Sequence, residues 1–554
     1  MIRENTVSSS PVEPAVRRMR IDSVVATVIV LVLALLVGLS IYAQSPPHAE
    51  PAEIPASSFS ASRALRHLSV IAAKPHPTGS TAHREVRDYL VRELEAIGLQ
   101  TQVQNSALLN AYLKAPNNGV ENILARLKGS GNGNAVLLVA HYDSVDDSFG
   151  ASDDGSSVAT LLETLRTLKA GEQLKNDVIV LFTDAEEQGM LGAQAFVAEH
   201  EWARDVYVVL NFEARGNTGP VLMFETSDNN GWLINEFAEA APFPFAHSLS
   251  YEIYRLLPND TDLSVFKEAG LVGFNFANID GITHYHSSND NLGAVDGDTM
   301  QHKGSYAVAL AKHFGNADLT RTDNKNAVYF DLFGRMLVNY SNVWVIPLTA
   351  LVCALYFGLL MLGFRKQKLT AQGILWGIVS LVVSLVLAAL VSFALGKIVW
   401  LIRGAPALQS RLFLLGFIAL AVVITSVVYR KLRRGASVES LAVGALMSWL
   451  LLMVVITFYT PGGSFLFHWP LLAAMIGVGV MMLLPEDKKT GAMFILGLCA
   501  LPAIVLWVPV IYQVFIGLTL NWIALTVAQA VLLFGLLVPL SLAIKDSFKR
   551  VAIR

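Results

Sequence analysis

A set of long apolar runs constrains the fold of this chain more than any other feature. One run lies near the N-terminus at residues 23–43, and seven more fill the C-terminal part of the chain. Each is about long enough to cross a bilayer, because a helical span needs roughly 20 apolar residues. The stretch between them has the mixed composition of a globular domain. The chain is therefore expected to join one globular domain to a membrane region with runs near 343–364, 373–396, 412–429, 440–460, 467–485, 491–513 and 520–543.

The first apolar run follows three arginines, Arg17, Arg18 and Arg20. Positive charge beside a span holds that end in the cytoplasm. A cleaved signal peptide is the alternative, but its apolar core is roughly half as long as this run. The length favours an uncleaved anchor, and the domain that follows is exported under either interpretation.

The charges in the loops between the runs predict the topology. Every second loop between the runs is rich in Lys and Arg. The loops between those basic loops are poorer in Lys and Arg, with Lys397, Arg403 and Arg411 in one of them. Alternation of this kind indicates eight spans with both termini in the cytoplasm. The globular domain then lies outside the cytoplasm, in a bacterial periplasm or, as the alternative, in the lumen of a vacuole or the endoplasmic reticulum. Every second loop is basic: Arg365, Lys366 and Lys368; Arg430, Lys431, Arg433 and Arg434; Lys488 and Lys489; Lys545, Lys549 and Arg550.

These patterns divide the chain into segments. Residues 44–60 are rich in Pro, Ala and Ser, a composition that is typical of a linker. The predicted organisation is a cytoplasmic tail at 1–22, an anchor at 23–43, a linker at 44–60, a globular domain at 61–322, a linker at 323–342, a seven-span region at 343–544 and a second tail at 545–554.

The globular domain alternates between two hydrophobic periods. NAVLLVAHYDS, DVIVLFTDA, DVYVVLNFEA and GFNFANI are typical of buried strands, and SSVATLLETLRTLKA and MLGAQAFVAEHEWA of helices. Alternating strands and helices predict an α/β sandwich with three layers and a largely parallel central sheet. Sites in such sheets form beyond the carboxyl ends of the strands. The fold class is therefore α/β, joined to an all-α multi-span membrane bundle.

Acidic and imidazole side chains follow each of these strands. Zinc takes imidazole nitrogen and carboxylate oxygen, and two metals can share a bridging carboxylate. A two-metal site needs about five such ligands and a separate base. The sequence supplies His141 and Asp143, Asp153 and Asp154, Glu186 and Glu187, Glu213, and then His284 and His286 in a late loop.

Each of these residues also has an ordinary structural interpretation. Asp153 and Asp154 could cap the helix that starts near Ser156. Glu186 and Glu187 could begin a helix, where negative charge is favourable. A lone His141 at a strand end is more often a packed residue than a ligand. Such interpretations weaken because several separate coincidences would be needed at successive strand ends of one sheet.

The motifs HYDSV, GASDDGSS, TDAEEQGMLGA, LNFEARG and HYHSSND resemble, in order and spacing, the co-catalytic zinc exopeptidases. That family includes bacterial aminopeptidases, aminopeptidase Y and glutamate carboxypeptidase. PHPTGS and PNDTDLSVFKEAG are more similar to one branch, the endoplasmic-reticulum metallopeptidases and vacuolar membrane proteases. The resemblance covers residues from about 60 to 320 by motif, and the remainder by architecture alone.

The resemblance implies a role for each matched residue. Glu186 would be the general base, Asp143 would orient His141, and Tyr285 would steady the tetrahedral intermediate. His284 is the competing ligand to His286, which the YHSSND motif favours. Ser157 stands where relatives usually have Gly. The implied ligands of two zinc ions are His141 and Glu213 for the first, Glu187 and His286 for the second, and Asp153 between them.

The expected function is that of a membrane-bound zinc peptidase, an aminopeptidase or another exopeptidase, acting on peptides. Two alternatives stay open: a glutaminyl-peptide cyclotransferase-like enzyme with one zinc, and a receptor-like member without activity. A net charge of -3 and the lack of a basic stripe argue against nucleic acid as a partner. Cys353 and Cys499 lie in apolar runs and do not resemble metal ligands. Nothing in the sequence indicates an oligomeric state.

Overall fold

The computed structural model describes residues 12–106, 119–131, 133–320, 325–404, 410–433, 435–485 and 488–552. Residues 1–11 of the predicted N-terminal tail and Arg434 lie outside this part of the chain. The chain divides into two compact units. We call them the sheet unit (Ala43–Trp344 with Thr460–Gly463) and the helical unit (Met1–Tyr42, Val345–Tyr459 and Ser464–Arg554).

A seven-stranded sheet forms the centre of the sheet unit, and its strand order is β1-β2-β4-β3-β5-β7-β6. The four predicted strands are β3, β4, β5 and β7, which run parallel to one another. They are confirmed, and the apolar residues that fill them explain why, since a parallel sheet is covered on both faces. The remaining strands pair antiparallel at the edges. The strands are β1 Gln100–Ser106, β2 Val120–Leu127, β3 Ala135–His141, β4 Asp177–Thr183, β5 Val206–Ala214, β6 Thr218–Thr226 and β7 Val272–Asp280.

Helices cover both faces of this sheet. Alternate residues of each strand face opposite layers, so Val136 and Leu138 pack in one core while Leu137 and Val139 pack in the other. The three-layer α/β class predicted from the sequence is confirmed. The helices are α2 Ala61–Ile71, α3 Thr81–Ala96, α4 Ser157–Lys169, α5 Leu191–Glu199, α6 Gly231–Ala240, α7 Ser248–Tyr254, α8 Asp262–Glu268 and α9 Gly297–Phe314.

The two segments predicted as linkers have ordered local structure. Residues 44–60 contain no strand, but they are hydrogen-bonded to the domain: Ala49 N donates to Asp298 Oδ1 at 2.7 Å, and Arg63 Nη1 donates to Ala52 O at 2.6 Å. In the described part of the second segment, residues 325–342, the chain forms an antiparallel hairpin of β8 Ala327–Leu332 and β9 Met336–Ser341. Backbone pairing across a short turn organised this segment, although its composition gives little sign of it.

The helical unit contains nine α-helices, and eight helical segments are long and apolar enough to cross a membrane, both counts being of the described residues. One apolar run behaves differently from its prediction. The run at 491–513 is broken into two helices near Ala500, and Pro502, which lacks an N–H, lies in the first turn of the second helix, where no N–H is needed. The helices are α1 Val12–Tyr42, α10 Val345–Arg365, α11 Ala371–Arg403, α12 Arg411–Leu432, α13 Val438–Tyr459, α14 Phe465–Leu483, α15 Lys489–Cys499, α16 Leu501–Leu518 and α17 Ile523–Ala552.

Small residues allow two of these helices to approach closely. A Cβ added at Gly377 of α11 would lie 2.5 Å from Leu441 O and 3.0 Å from the Cα of Gly444 on α13. Such contact between backbones is a common source of helix association in lipid, where apolar burial gives no advantage. The tight α11–α13 pair therefore depends on glycine at both positions.

Candidate metal centre

The carboxyl ends of the parallel strands bring the predicted site residues to one edge of the sheet. His141 is the last residue of β3, and its backbone lies beside Thr183 at the end of β4. Glu186 follows β4 by three residues, and Glu213 lies near the end of β5. His286 is in the loop after β7. Parallel register therefore gathers side chains that are widely separated along the chain.

One cluster of possible metal ligands is deeply buried. His141 Nε2 lies 3.3 Å from Asp153 Oδ1 and 3.7 Å from Glu213 Oε2. Each of these three residues is less than 8% exposed, at 1%, 6% and 7%. The three side chains offer one nitrogen and two carboxylate oxygens to a single point.

A second cluster lies beside the first and is more open. His286 Nε2 is 3.1 Å from Asp153 Oδ2 and 3.1 Å from Glu187 Oε1. The His286 side chain is 37% exposed, whereas Glu187 is 11% exposed. This cluster therefore has a side that faces solvent, from which a substrate can approach.

The carboxylate of Asp153 belongs to both clusters and gives one oxygen to each. Its Oδ1 faces His141 and its Oδ2 faces His286. Around a tetrahedral zinc with bonds of about 2.0 to 2.2 Å, neighbouring ligand atoms lie roughly 3.3 to 3.5 Å apart. The observed separations of 3.1 to 3.7 Å fit that geometry. The donor set is suited to two divalent cations that share one carboxylate.

The two candidate histidines of the late loop occupy different positions. His284 Nδ1 lies 3.0 Å from the carbonyl oxygen of Gly281, and His284 is in neither cluster. His286 is in the second cluster. The structure thus places the five residues favoured as ligands together and leaves the competing histidine aside.

Asp143 connects the first cluster to the loop that carries the paired glutamates. One of its oxygens lies 3.4 Å from His141 Nδ1. The same carboxylate accepts hydrogen bonds from the backbone N–H of Glu186 at 3.1 Å and of Glu187 at 3.3 Å. The backbone carbonyl of Asp143 is nearer still to His141 Nδ1, at 3.1 Å. Asp143 therefore lies against the imidazole through both its carbonyl and its carboxylate, and the carboxylate fixes the start of the glutamate loop.

Tyr285 packs directly on a residue of the second cluster. Its ring lies 3.7 Å from the His286 ring, centroid to centroid, and the two planes are 18° apart. The side chain is 37% exposed. Tyr285 thus borders the open side of the site.

The pKa shifts of the buried carboxylates indicate that nearby positive charge stabilises their ionised forms. Burial raises the pKa of Glu186 and Glu213 well above the usual value, although the charge of His141 opposes the rise. Burial would raise the pKa of Asp153 as well, but contacts with His141 and His286 lower it to about 2. A divalent cation in each cluster would supply the charge that imidazolium protons supply in the protein alone.

Several further side chains shape the site, although sequence reasoning assigned them no role. Asp290 accepts from Ser152 N at 2.7 Å and from Asp153 N at 3.1 Å, which fixes the loop of the shared carboxylate. Asp262 is buried and accepts from Thr183 Oγ1 at 2.5 Å. Both residues lie within motifs that carried the family resemblance, so the signal was present without a role attached.

The carboxylate of Glu213 is at one end of a chain of hydrogen bonds formed by asparagine side chains. Asn211 Nδ2 donates to Glu213 Oε1 at 3.2 Å and to Asn275 Oδ1 at 3.1 Å. Asn275 in turn donates to Glu225 Oε2 at 3.0 Å. Asn211 precedes Glu213 by two residues on one strand, and strand periodicity alone could have indicated that the two share a face.

The fold and the two clusters define a class: an α/β protein with a candidate two-cation centre beyond the carboxyl ends of its strands. Residues 122–311 match the model of Peptidase family M28, and this segment is a domain of that family. The matched segment contains all five candidate ligands.

Known proteins similar to this chain include two kinds of membrane or reticulum peptidase. Endoplasmic reticulum metallopeptidase 1 of Mus musculus is 29% identical over 303 residues, which cover 50% of this chain and 33% of the relative. Vacuolar membrane protease of Yarrowia lipolytica is 28% identical over 403 residues, which cover 66% of this chain and 40% of the relative. The chain therefore spans less than half the length of these relatives. Among solved structures, the LapA aminopeptidase of Legionella pneumophila has a TM-score of 0.40 and 16% identity, with 47% of this chain and 73% of that chain covered.

Proposed function

We propose that this protein is a membrane-bound zinc metallopeptidase, an exopeptidase of the aminopeptidase type, that hydrolyses peptides outside the cytoplasm with two zinc ions. The observation that carries the proposal is the shared carboxylate of Asp153, which offers one oxygen to each of two ligand clusters. The match of residues 122–311 to the model of Peptidase family M28 supports the same activity.

In this proposal the first ion is held by His141, Asp153 and Glu213. The second is held by Asp153, Glu187 and His286. Nitrogen and carboxylate oxygen are donors that zinc prefers, and three protein ligands leave a position free. Bound zinc supplies a lowered pKa for a bound water and polarisation of a carbonyl oxygen.

Glu186 is the proposed general base. Its backbone is fixed by the carboxylate of Asp143, so its side chain is presented from a rigid loop. Burial raises its pKa well above that of an ordinary glutamate. A carboxylate of this kind can take a proton from the attacking water and later give it to the leaving amine.

Two further residues assist in this proposal. Tyr285 lies against His286 on the open side, where its hydroxyl can donate a hydrogen bond to the negative oxygen that develops on the substrate. Asp143 holds the imidazole of His141 in orientation, as carboxylates commonly do for metal-binding histidines.

The membrane placement is also part of the proposal. Eight helical segments fit spans by length and composition. The alternation of basic loops supports a topology with both termini in the cytoplasm. The sheet unit between the first two spans then faces the periplasm, or the lumen of a vacuole or the reticulum as the alternative. The remaining segment boundaries follow the organisation predicted from the sequence, apart from the hairpin at Ala327–Ser341.

Two neighbouring clusters support the peptidase over the alternatives. A cyclotransferase-like enzyme with a single zinc would leave one cluster without a use. A receptor-like member without activity would have no need for a complete set of nitrogen and oxygen donors. The geometry favours the two-metal hydrolase over both.

The test begins with the full chain purified in detergent, whose zinc content is measured by mass spectrometry beside hydrolysis of a panel of aminoacyl and dipeptide substrates. Glu186→Gln is expected to keep two zinc ions and lose roughly 100- to 10,000-fold in kcat, the usual contribution of general-base catalysis. Glu201→Gln, at an exposed glutamate far from the clusters, is the matched control. Two bound zinc ions without peptide hydrolysis, or full activity in Glu186→Gln, would contradict the proposal.

A further inference from the structure

Lys303 has no part in the proposed chemistry, yet its side chain contacts the backbone of the candidate ligand Glu213. Lys303 is in the first half of α9 and is 0% exposed. Its Nζ lies 2.7 Å from Ser157 Oγ, 2.9 Å from Ser156 Oγ and 3.2 Å from the carbonyl oxygen of Glu213. A buried lysine is costly, so one retained at this place needs a reason.

The hydrogen-bond directions fit the charged form of this side chain. An ammonium group has three donors and no acceptor. The Ser156 hydroxyl donates its own proton to Ser152 O at 3.0 Å, so its oxygen is available to accept from Lys303. The Glu213 carbonyl can only accept. With Ser157 as the third partner, each of the three protons has an acceptor.

The charges around this ammonium are those of the metal centre itself. Burial lowers the pKa of Lys303, and nearby carboxylates oppose that fall, in decreasing order those of Asp154, Glu213, Asp153 and Asp290. Burial raises the pKa of Asp154 well above the usual range, and the Lys303 charge is the main influence opposing that rise. Lys303 is therefore a buried donor beside a carboxylate-rich site, and three fixed acceptors hold its Nζ in place.

The contacts also join two elements that carry ligands. Glu213 belongs to β5, whereas Ser156 and Ser157 begin α4, directly after the loop that presents Asp153. The lysine holds the backbone at Glu213 against the start of α4. The link therefore joins the strand that carries Glu213 to the helix that follows the Asp153 loop.

We propose that Lys303 is a positioning residue of the metal centre, a buried ammonium that sets the separation of two zinc ligands and offsets their negative charge. This inference rests on the proposed two-zinc function. It assigns Ser156 and Ser157 a role as the acceptors that seat the ammonium.

The decisive experiment measures zinc affinity of the full chain in detergent, by competition with a chromophoric chelator, together with thermal unfolding of the metal-free and zinc-loaded forms. Lys303→Met keeps the length of the side chain but removes its charge and donors. We expect it to weaken zinc binding by about 10- to 100-fold, the usual effect of removing an outer partner of a metal ligand. Lys303→Arg should retain part of the affinity, and Lys312→Met on the same helix should match the wild-type protein.

A purely structural lysine would give a different pattern. It would lower the unfolding temperature of metal-free and zinc-loaded protein equally, leaving zinc affinity unchanged, and that outcome would overturn the inference. If Lys303→Met does not fold, the double variant Ser156→Ala with Ser157→Ala decides, because it keeps the lysine and removes two acceptors. Wild-type zinc affinity in that double variant would overturn the inference, and at least a several-fold loss would support it.

The wild-type measurements separate this inference from the proposed function. A wild-type protein that binds two zinc ions but hydrolyses no peptide contradicts the peptidase proposal, while the effect of Lys303 on zinc affinity can still be measured. A wild-type protein that binds no zinc contradicts both.

Discussion

The sheet unit and the helical unit bury polar groups in opposite ways. At one edge of the sheet, the sheet unit buries carboxylates and imidazoles beside a lysine. In the described part of the helical unit, the buried polar side chains are nearly all Ser and Thr, and Asp22 is the one buried carboxylate. The contrast shows where chemistry is concentrated: charge is gathered where metal can compensate it, and avoided where lipid would surround it.

Hydrogen bonds of the Thr349 hydroxyl illustrate how polar groups are paired within and between helices of this unit. Thr349 Oγ1 donates to Val345 O within its own helix and lies 2.8 Å from both Thr457 Oγ1 and His468 Nε2. Such bonds join helices without forming a charged pathway. The helical unit is thus suited to anchoring, and the comparison predicts that substitutions in the two units have different consequences.

Asp153→Asn tests the comparison with the largest expected effect. The variant removes the charge that both clusters share, so both zinc ions should bind more weakly. Removing a residue that hydrogen-bonds a metal ligand usually lowers metal affinity or activity by about 10- to 100-fold. Loss of a ligand that both clusters share should lower kcat/KM by more than roughly 100-fold. Zinc content and hydrolysis of the best substrate measure the change. An Asp153→Asn protein with two tightly bound zinc ions would remove the basis of the two-cluster site.

His302 tests whether burial in the sheet unit also makes stability depend on pH. Burial lowers the pKa of His302 to about 4, and its ring accepts from Val221 N at 3.1 Å and lies 3.0 Å from Phe243 O. Between about pH 6.5 and 4, His302 is protonated in the unfolded chain but stays neutral in the folded chain. The free energy of unfolding therefore falls as pH drops through this range. The loss approaches about 3 kcal/mol.

The measurement is thermal unfolding of His302→Gln and wild-type protein across that pH range. The variant should lose less stability towards acid than the wild-type protein. His48→Gln, at an imidazole that is 95% exposed, is the control and should follow the wild-type curve. Parallel curves for His302→Gln and the wild-type protein would refute this account.

Asp143→Asn should have an intermediate effect. The amide keeps the shape of the side chain but replaces one acceptor with a donor, which then faces backbone N–H groups of the glutamate loop. Zinc affinity or kcat/KM should fall by about 10- to 100-fold while zinc can still bind. Saturating zinc should restore part of the activity. Unchanged kinetics would show that His141 and the glutamate loop are oriented without this carboxylate.

Thr349→Val tests the other half of the comparison and has the smallest expected effect. The substitution keeps the side-chain shape and removes the hydroxyl that contacts Thr457 and His468. Interhelical hydrogen bonds in membranes contribute about 0.6 to 2 kcal/mol, so the unfolding temperature should fall slightly. The kcat/KM value should equal that of the wild-type protein. A large loss of turnover would break the comparison, because it would connect the helical unit to the chemistry.

Sequence reasoning found the parts of the fold that have strong local signals. The four parallel strands are continuous apolar runs, and α4 has helical periodicity. The edge strand β1 was missed because its residues are mostly polar and its pairing with β2 is decided by partners distant in the chain. The hairpin at Ala327–Ser341 was missed for a similar reason.

For the candidate site, motif order indicated the residue types, and the tertiary structure decided their grouping. Motif order was enough to select the five candidate ligands and to prefer His286 over His284. It did not show that the two oxygens of Asp153 face different clusters, or that Lys303 lies behind them.

The sequence by itself determined the division into apolar spans and an α/β domain, because hydrophobic periodicity is a local property of the chain. It also determined which side chains could bind metal. Only the tertiary structure decided which atoms share a point in space, since that depends on strand register and on loops that join residues far apart in sequence. Distances of a few ångström between side chains are products of packing, and no local pattern encodes them.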